Sequence, residues 1–191
     1  MSLERWRSMI DVKKLKEELR ALPEAPIVLI ETSAERSFEA SMASIKCLAD
    51  THDKGIIVSA SRPYINLISN YKKNAIDTNK MFILDCISKK HTEEVDGHSV
   101  MFLENASALT DISVSLGERM QMTDGKKFIL MDSINTMLIH NQPHIFVRFM
   151  HDILTKMRLH KTGGLLISLD DTMNKDVRAE IAQLCDKVIK V

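Results

Sequence analysis

Asp132 and Ser133 follow four consecutive apolar residues, Phe128-Ile129-Leu130-Met131. A carboxylate and a hydroxyl delivered together by one strand end supply hard oxygen donors, the kind a magnesium ion takes. Two other apolar runs end in the same way. Met81-Phe82-Ile83-Leu84 leads to Asp85, and Leu165-Leu166-Ile167-Ser168-Leu169 leads to Asp170 and Asp171. If these runs are neighbouring strands, their carboxylates meet along one sheet edge. There they can hold a cation and would otherwise raise one another's pKa. The plainer reading is that each caps the turn after its strand. Asp85 also ends the third strand, where a receiver-like phospho-acceptor would sit, but the fifth strand lacks the lysine such a domain uses. His144 and His151 share a polar helix face with Arg148, a poor neighbour for a dication, so this face reads as solvated. No Gly-x-Ser-x-Gly elbow accompanies the serines.

The elements that must position these groups alternate along the chain. An amphipathic helix spans Asp11 to Leu22, and Pro23 and Pro26 end it. The first buried strand is Pro26 to Glu31, followed by a helix from Ala34 to Asp50. Thr32-Ser33-Ala34-Glu35 opens that helix as a capping box, with Thr32 accepting from the third amide and Glu35 reaching back to Thr32. The second strand, Ile56 to Ala60, leads to Ser61-Arg62-Pro63-Tyr64, a helix start capped by Ser61 with Pro63 in its first turn. Then come the strand Met81 to Asp85, an exposed polar loop from Ser88 to Ser99, a short apolar run Val100 to Leu103, and a helix Leu109 to Met122. After the Asp132 strand, Pro143 begins the longest helix, which ends near His160. The strand Leu165 to Leu169, a helix Asn174 to Cys185 and a last strand Lys187 to Val191, expected antiparallel at the edge, complete the chain. Runs apolar on both faces, separated by helices, specify a three-layer, mainly parallel α/β sheet with helices on both faces. Phe128 to Met131 is expected in its interior. The expected division is a helical extension over residues 1–24 and an α/β domain over 25–191.

The totals set bounds. The chain has 191 residues, 45% of them hydrophobic, enough for one core. Lys plus Arg and Asp plus Glu are 26 each, so net charge gives no reason to expect nucleic acid. Three widely spaced cysteines in apolar segments point to reduced thiols and a cytoplasmic protein. No apolar run is long enough to span a membrane, and no apolar h-region follows the charges at the start.

The ordered set of motifs resembles the RecA superfamily, and in particular archaeal KaiC-like ATPases. Three stretches carry the resemblance: Gly55 to Asp85, with Ser61-Arg62-Pro63 and Asn74-Ala75-Ile76-Asp77; Leu103 to Ile112 with Phe128 to Leu138; and the tail Leu184 to Val191. It implies a RecA-like sheet of the P-loop NTPase type, with Asp132 as the Walker B aspartate that holds magnesium through water. It also implies side-by-side assembly with protein partners. The phosphate loop it requires is Gly, four residues, Gly, Lys, then Ser or Thr. Here the loop reads Glu31-Thr32-Ser33-Ala34-Glu35-Arg36-Ser37-Phe38-Glu39, with Phe38 at the lysine position. Glu31, Glu35 and Glu39 put negative charge where a triphosphate needs positive charge, opposed by Arg36 alone. The water-activating acidic residues expected after the second strand are replaced by Ser59-Ala60-Ser61-Arg62. Ser168 matches a polar sensor position. The expectation is a pseudo-ATPase with a degenerate Walker A loop, without cofactor, acting in an oligomer through contacts with itself or a related ATPase subunit. The alternative is an atypical ATPase or sensor that binds ATP with magnesium. Thr32, Ser33, Arg36 and Ser37 would then face the nucleotide, and Asp132 and Ser133 the metal.

Overall fold

Seven parallel strands form one sheet in the order β4-β3-β2-β5-β6-β1-β7. The strands are β1 (Ile27–Thr32), β2 (Lys54–Ser59), β3 (Met81–Asp85), β4 (Val100–Phe102), β5 (Lys127–Asp132), β6 (Gly163–Leu169) and β7 (Lys187–Lys190). The computed structural model describes residues 12–89, 99–170 and 173–191. The loop predicted over Ser88 to Ser99 therefore lies mostly outside the described residues, as does Asp171.

The helices are α1 (Val12–Arg20), α2 (Ser37–Ala49), α3 (Tyr64–Lys73), α4 (Leu109–Met122), α5 (Ile134–Ile139), α6 (Pro143–Leu159) and α7 (Lys175–Leu184). Strand side chains alternate between faces, so each strand feeds two cores. Ile129 and Met131 of β5 pack with α4, α5, α6 and α7, while Phe128 and Leu130 pack with α1, α2 and α3. Both faces are thus covered, which is why β5 is apolar at successive positions. It lies inside the sheet between β2 and β6, as its composition predicts.

Gly55 permits one close approach. A Cβ there would lie 2.5 Å from Phe128 Cζ and 2.7 Å from Met81 Sδ, so a side chain would displace the rings and sulfur packed over β2.

Three local expectations are corrected. β7 runs parallel to β1, with Leu29 opposite Val188. Helix α7 carries the chain back to the amino end of the sheet first, so the strand restarts in the common direction. Asp186 locks that start: its amide donates to Ile27 O at 2.7 Å, and its carboxylate accepts from Ile27 N at 2.8 Å. The capping box does not form, because β1 continues to Thr32 and takes that residue into the sheet. A 3-10 turn at Ala34–Arg36 precedes α2 instead, closed by Arg36 N donating to Ser33 O at 3.1 Å. Ser61 does not cap α3 either; Asp85 does so from the neighbouring strand.

Candidate functional site

Four strand ends bring polar side chains to the carboxyl edge on the α2–α3 face. Alternation along each strand puts Thr32, Ser59, Asp85 and Asp132 on the same side as Val28, Ile57, Ile83 and Leu130. Ser59 is the register partner of both Asp85 and Asp132.

Asp85 is fully buried and completely used. Its Oδ2 accepts from Tyr64 N and from Ser88 Oγ, both at 2.7 Å, and its Oδ1 from Ile87 N at 2.8 Å and Ser88 N at 2.9 Å. It holds the start of α3 and the turn after β3 together. With both oxygens committed, it has no free face for a cation or a phosphoryl group.

Asp132 is 5% exposed. Burial pushes its carboxyl above the ordinary range; the Ser41 hydroxyl, the Arg62 charge and the Ser61 hydroxyl pull it back. Ser61 Oγ lies 3.5 Å from Asp132 Oδ1, and Ala60 N donates to Asp132 O at 2.8 Å. The Arg62 guanidinium lies 4.4 Å from the Phe38 ring centroid, a cation–π stack. Ser59 Oγ donates to Arg62 O at 2.6 Å and holds that loop in place. Beneath them the Tyr71 hydroxyl is fully buried, without a hydrogen-bond partner among the described residues, and both burial and the Asp132 charge raise its pKa. The Asp132–Ser133 peptide is cis, and Ser133 caps α5, its Oγ accepting from Thr136 N at 3.4 Å.

The loop residues expected to face a nucleotide are spent locally or buried. Thr32 Oγ1 is buried without a hydrogen-bond partner among the described residues, and so is Arg36 Nε. Ser33 caps the 3-10 turn with its carbonyl alone, and Ser37 Oγ donates to Ala34 O at 3.0 Å. The Asp132 carboxylate lies in the field of the Arg62 guanidinium, and the Phe38 ring stacks on that guanidinium at the start of α2.

On the opposite face Glu31 is 1% exposed, and Arg178 grips both its oxygens, Nε on Oε1 and Nη2 on Oε2 at 2.8 Å. Lys190 Nζ adds a contact at 3.5 Å. Hydrogen bonding from Arg178 holds the Glu31 carboxyl below the ordinary range against the opposing effect of burial. Glu31 therefore does not repel an anion at the loop: it is neutralised by α7 and β7. Sequence reasoning missed this pair, although alternation signals it, since Glu31 must share a face with Leu29. Ser168 pairs in register with Glu31, on that same face and away from Asp132. The described residues hold no cluster of three or more metal-ligating side chains, and none of their helices is long and apolar enough to cross a membrane.

With this geometry in view, two solved structures from Pyrococcus horikoshii are similar over most of their length. The uncharacterized protein PH0321, solved in complex with an unknown peptide, superposes with a TM-score of 0.71 at 13% identity, covering 93% of this chain and 82% of its own. The KaiC-like protein PH0186 gives 0.61 at 13% identity, covering 88% and 72%. The fold is RecA-like. No family model and no curated protein matches the sequence. In the frame of this fold, Asp132 lies at the end of an interior strand and residues 33–36 join β1 to α2.

Proposed function

We propose that this RecA-fold domain does not hydrolyse ATP and acts through protein contacts, in a regulatory or scaffolding role. The observation that carries the reading is the packing of Arg62 on Phe38 beside Asp132. The chain supplies its own cation near the carboxylate and an aromatic ring at the lysine position. A fold of this kind remains useful as a contact surface, either to a second copy of itself or to a related subunit with a working P-loop. The peptide carried by PH0321 is in keeping with a protein or peptide partner. The inner stripe of α1 is taken up within the chain: Leu15 is buried against the chain's own core, Leu19 and Leu22 pack on it, and Glu18 pairs with Lys187 at 3.1 Å. Larger apolar side chains stay exposed on α4 and α6, where Val114 and Ile145 line one shallow groove.

Steady-state phosphate release with magnesium and ATP tests the first half of the reading and should stay at background. Turnover that disappears in Asp132→Ala would overturn it. Light scattering of the intact chain across a dilution series tests self-association. A particle mass that falls on dilution is expected if the partner is a second copy; a constant monomer leaves only a different subunit.

A further inference from the structure

The opposite edge of the sheet, where β1, β5 and β6 begin, holds a cavity of about 370 Å³. Its size lies within the range of small-molecule sites. The connection from α1 to β1 forms one wall and rides directly on β6. Gly164 N donates to Pro26 O at 2.8 Å, and a Cβ on Gly163 would lie 3.3 Å from Ala25 Cα. Phe128 and Leu165 form the floor, both almost fully buried, and Leu19, Leu22 and Leu48 complete the apolar lining. His52 closes one side, its ring edge-on to Phe128 at 5.4 Å between centroids.

The rim has the opposite character. Arg20 and Lys126 are exposed, and neither is paired with a carboxylate among the described residues. An adjoining cavity of about 300 Å³ shares His52 and Lys126 and adds the exposed Lys161. Lys127 turns away, its Nζ donating to Met120 O at 2.7 Å and Thr123 O at 2.6 Å. Among the described residues, Glu24 is the one acidic residue lining either cavity. Among the described residues, Arg20, Lys126 and Lys161 stand at the mouth against Glu24, and the Asp53 carboxylate accepts from Lys126 N at 2.8 Å, so cations outnumber carboxylates there while the interior stays apolar.

We propose that this cavity binds a small organic anion with an apolar body, a medium-chain or aromatic carboxylate. The body lies on Phe128 and Leu165 between Leu22 and Leu48. The carboxylate meets Arg20 and Lys126 at the mouth, where a guanidinium offers two parallel donors. The apolar body supplies affinity through buried area, and the paired charge selects an anion over a cation. Such a ligand bridges α1 to the start of the sheet, so its binding also ties the helix to the core. The site is at the far end of the sheet from Asp132 and does not depend on the reading of that edge.

Calorimetric titration of the full chain with octanoate, and in parallel with octylammonium, tests the proposal. One octanoate per chain is expected, with octylammonium at least tenfold weaker. Arg20→Ala combined with Lys126→Ala, both at exposed positions, should weaken octanoate at least tenfold with an unchanged melting temperature of the free protein. Leu22→Trp should fill the cavity and abolish binding. If Leu22→Trp does not fold, the charge pair and the octylammonium comparison decide alone. No saturable octanoate binding, equal affinity for the two head groups, or full affinity in either folded variant would overturn the proposal.

Discussion

Glu31 and Asp132, buried acids on opposite faces of the sheet, are compensated in different ways. Glu31 has a two-point hydrogen-bonded partner in Arg178, whereas Asp132 has hydroxyls and the field of Arg62. The first arrangement is directional and lowers the carboxyl pKa. The second leaves burial dominant and raises it. For Glu31 the consequence for stability has a definite sign. Its folded-state pKa lies below the ordinary 4.5, so the pair stabilises the protein above about that pH. The contribution is lost as pH falls below it toward the folded value. Arg178→Ala leaves a buried carboxylate with only Lys190 nearby and should cost about 2–3 kcal/mol at neutral pH, discounted because Arg178 itself is at the surface. The gap to the parent should narrow as pH is lowered through 4.5 in urea unfolding titrations. A gap that stays constant down to pH 3, well below that value, would show that Arg178 acts through packing rather than through the charge of Glu31.

At the scale of elements, alternation and apolar runs made most of the fold legible. Strands β1, β2, β3, β5 and β6 and helices α4, α6 and α7 follow from residues whose burial on one or both faces is written in their spacing. What stayed hidden depends on partners distant in sequence. Asp85 caps α3 across 21 residues, a role that belongs to sheet register and cannot be read from Ser61-Arg62-Pro63. β7 runs parallel because of where α7 delivers it, which the short run Lys187 to Val191 does not encode. Helix α5 was not foreseen, since its six residues are too few for periodicity to show. At the candidate site the positions of Asp132 and of the β1–α2 loop were legible. The stack of Arg62 on Phe38 was not, because the two lie on different loops. Asp85 supports one helix start and one turn with four hydrogen bonds, so Asp85→Ala should destabilise by about 3 kcal/mol, read from chemical denaturation. A loss below about 0.5 kcal/mol would mean that α3 finds another cap.

For the whole molecule, the two ends of one sheet carry different chemistry. The carboxyl edge is packed with its own side chains, and the amino edge is open, apolar inside and positive at its mouth. The central claim is that the carboxyl edge needs no nucleotide. A ligand that binds only the folded state at one hundred times its Kd adds about 2.7 kcal/mol of stability. For a chain of this length that would raise the melting temperature by roughly 5–11 °C. The most direct measurement is the melting temperature of the full chain with and without millimolar magnesium and ATP. No shift beyond that produced by magnesium with inorganic phosphate is expected, whereas a rise of several degrees that vanishes in Asp132→Ala would contradict the account.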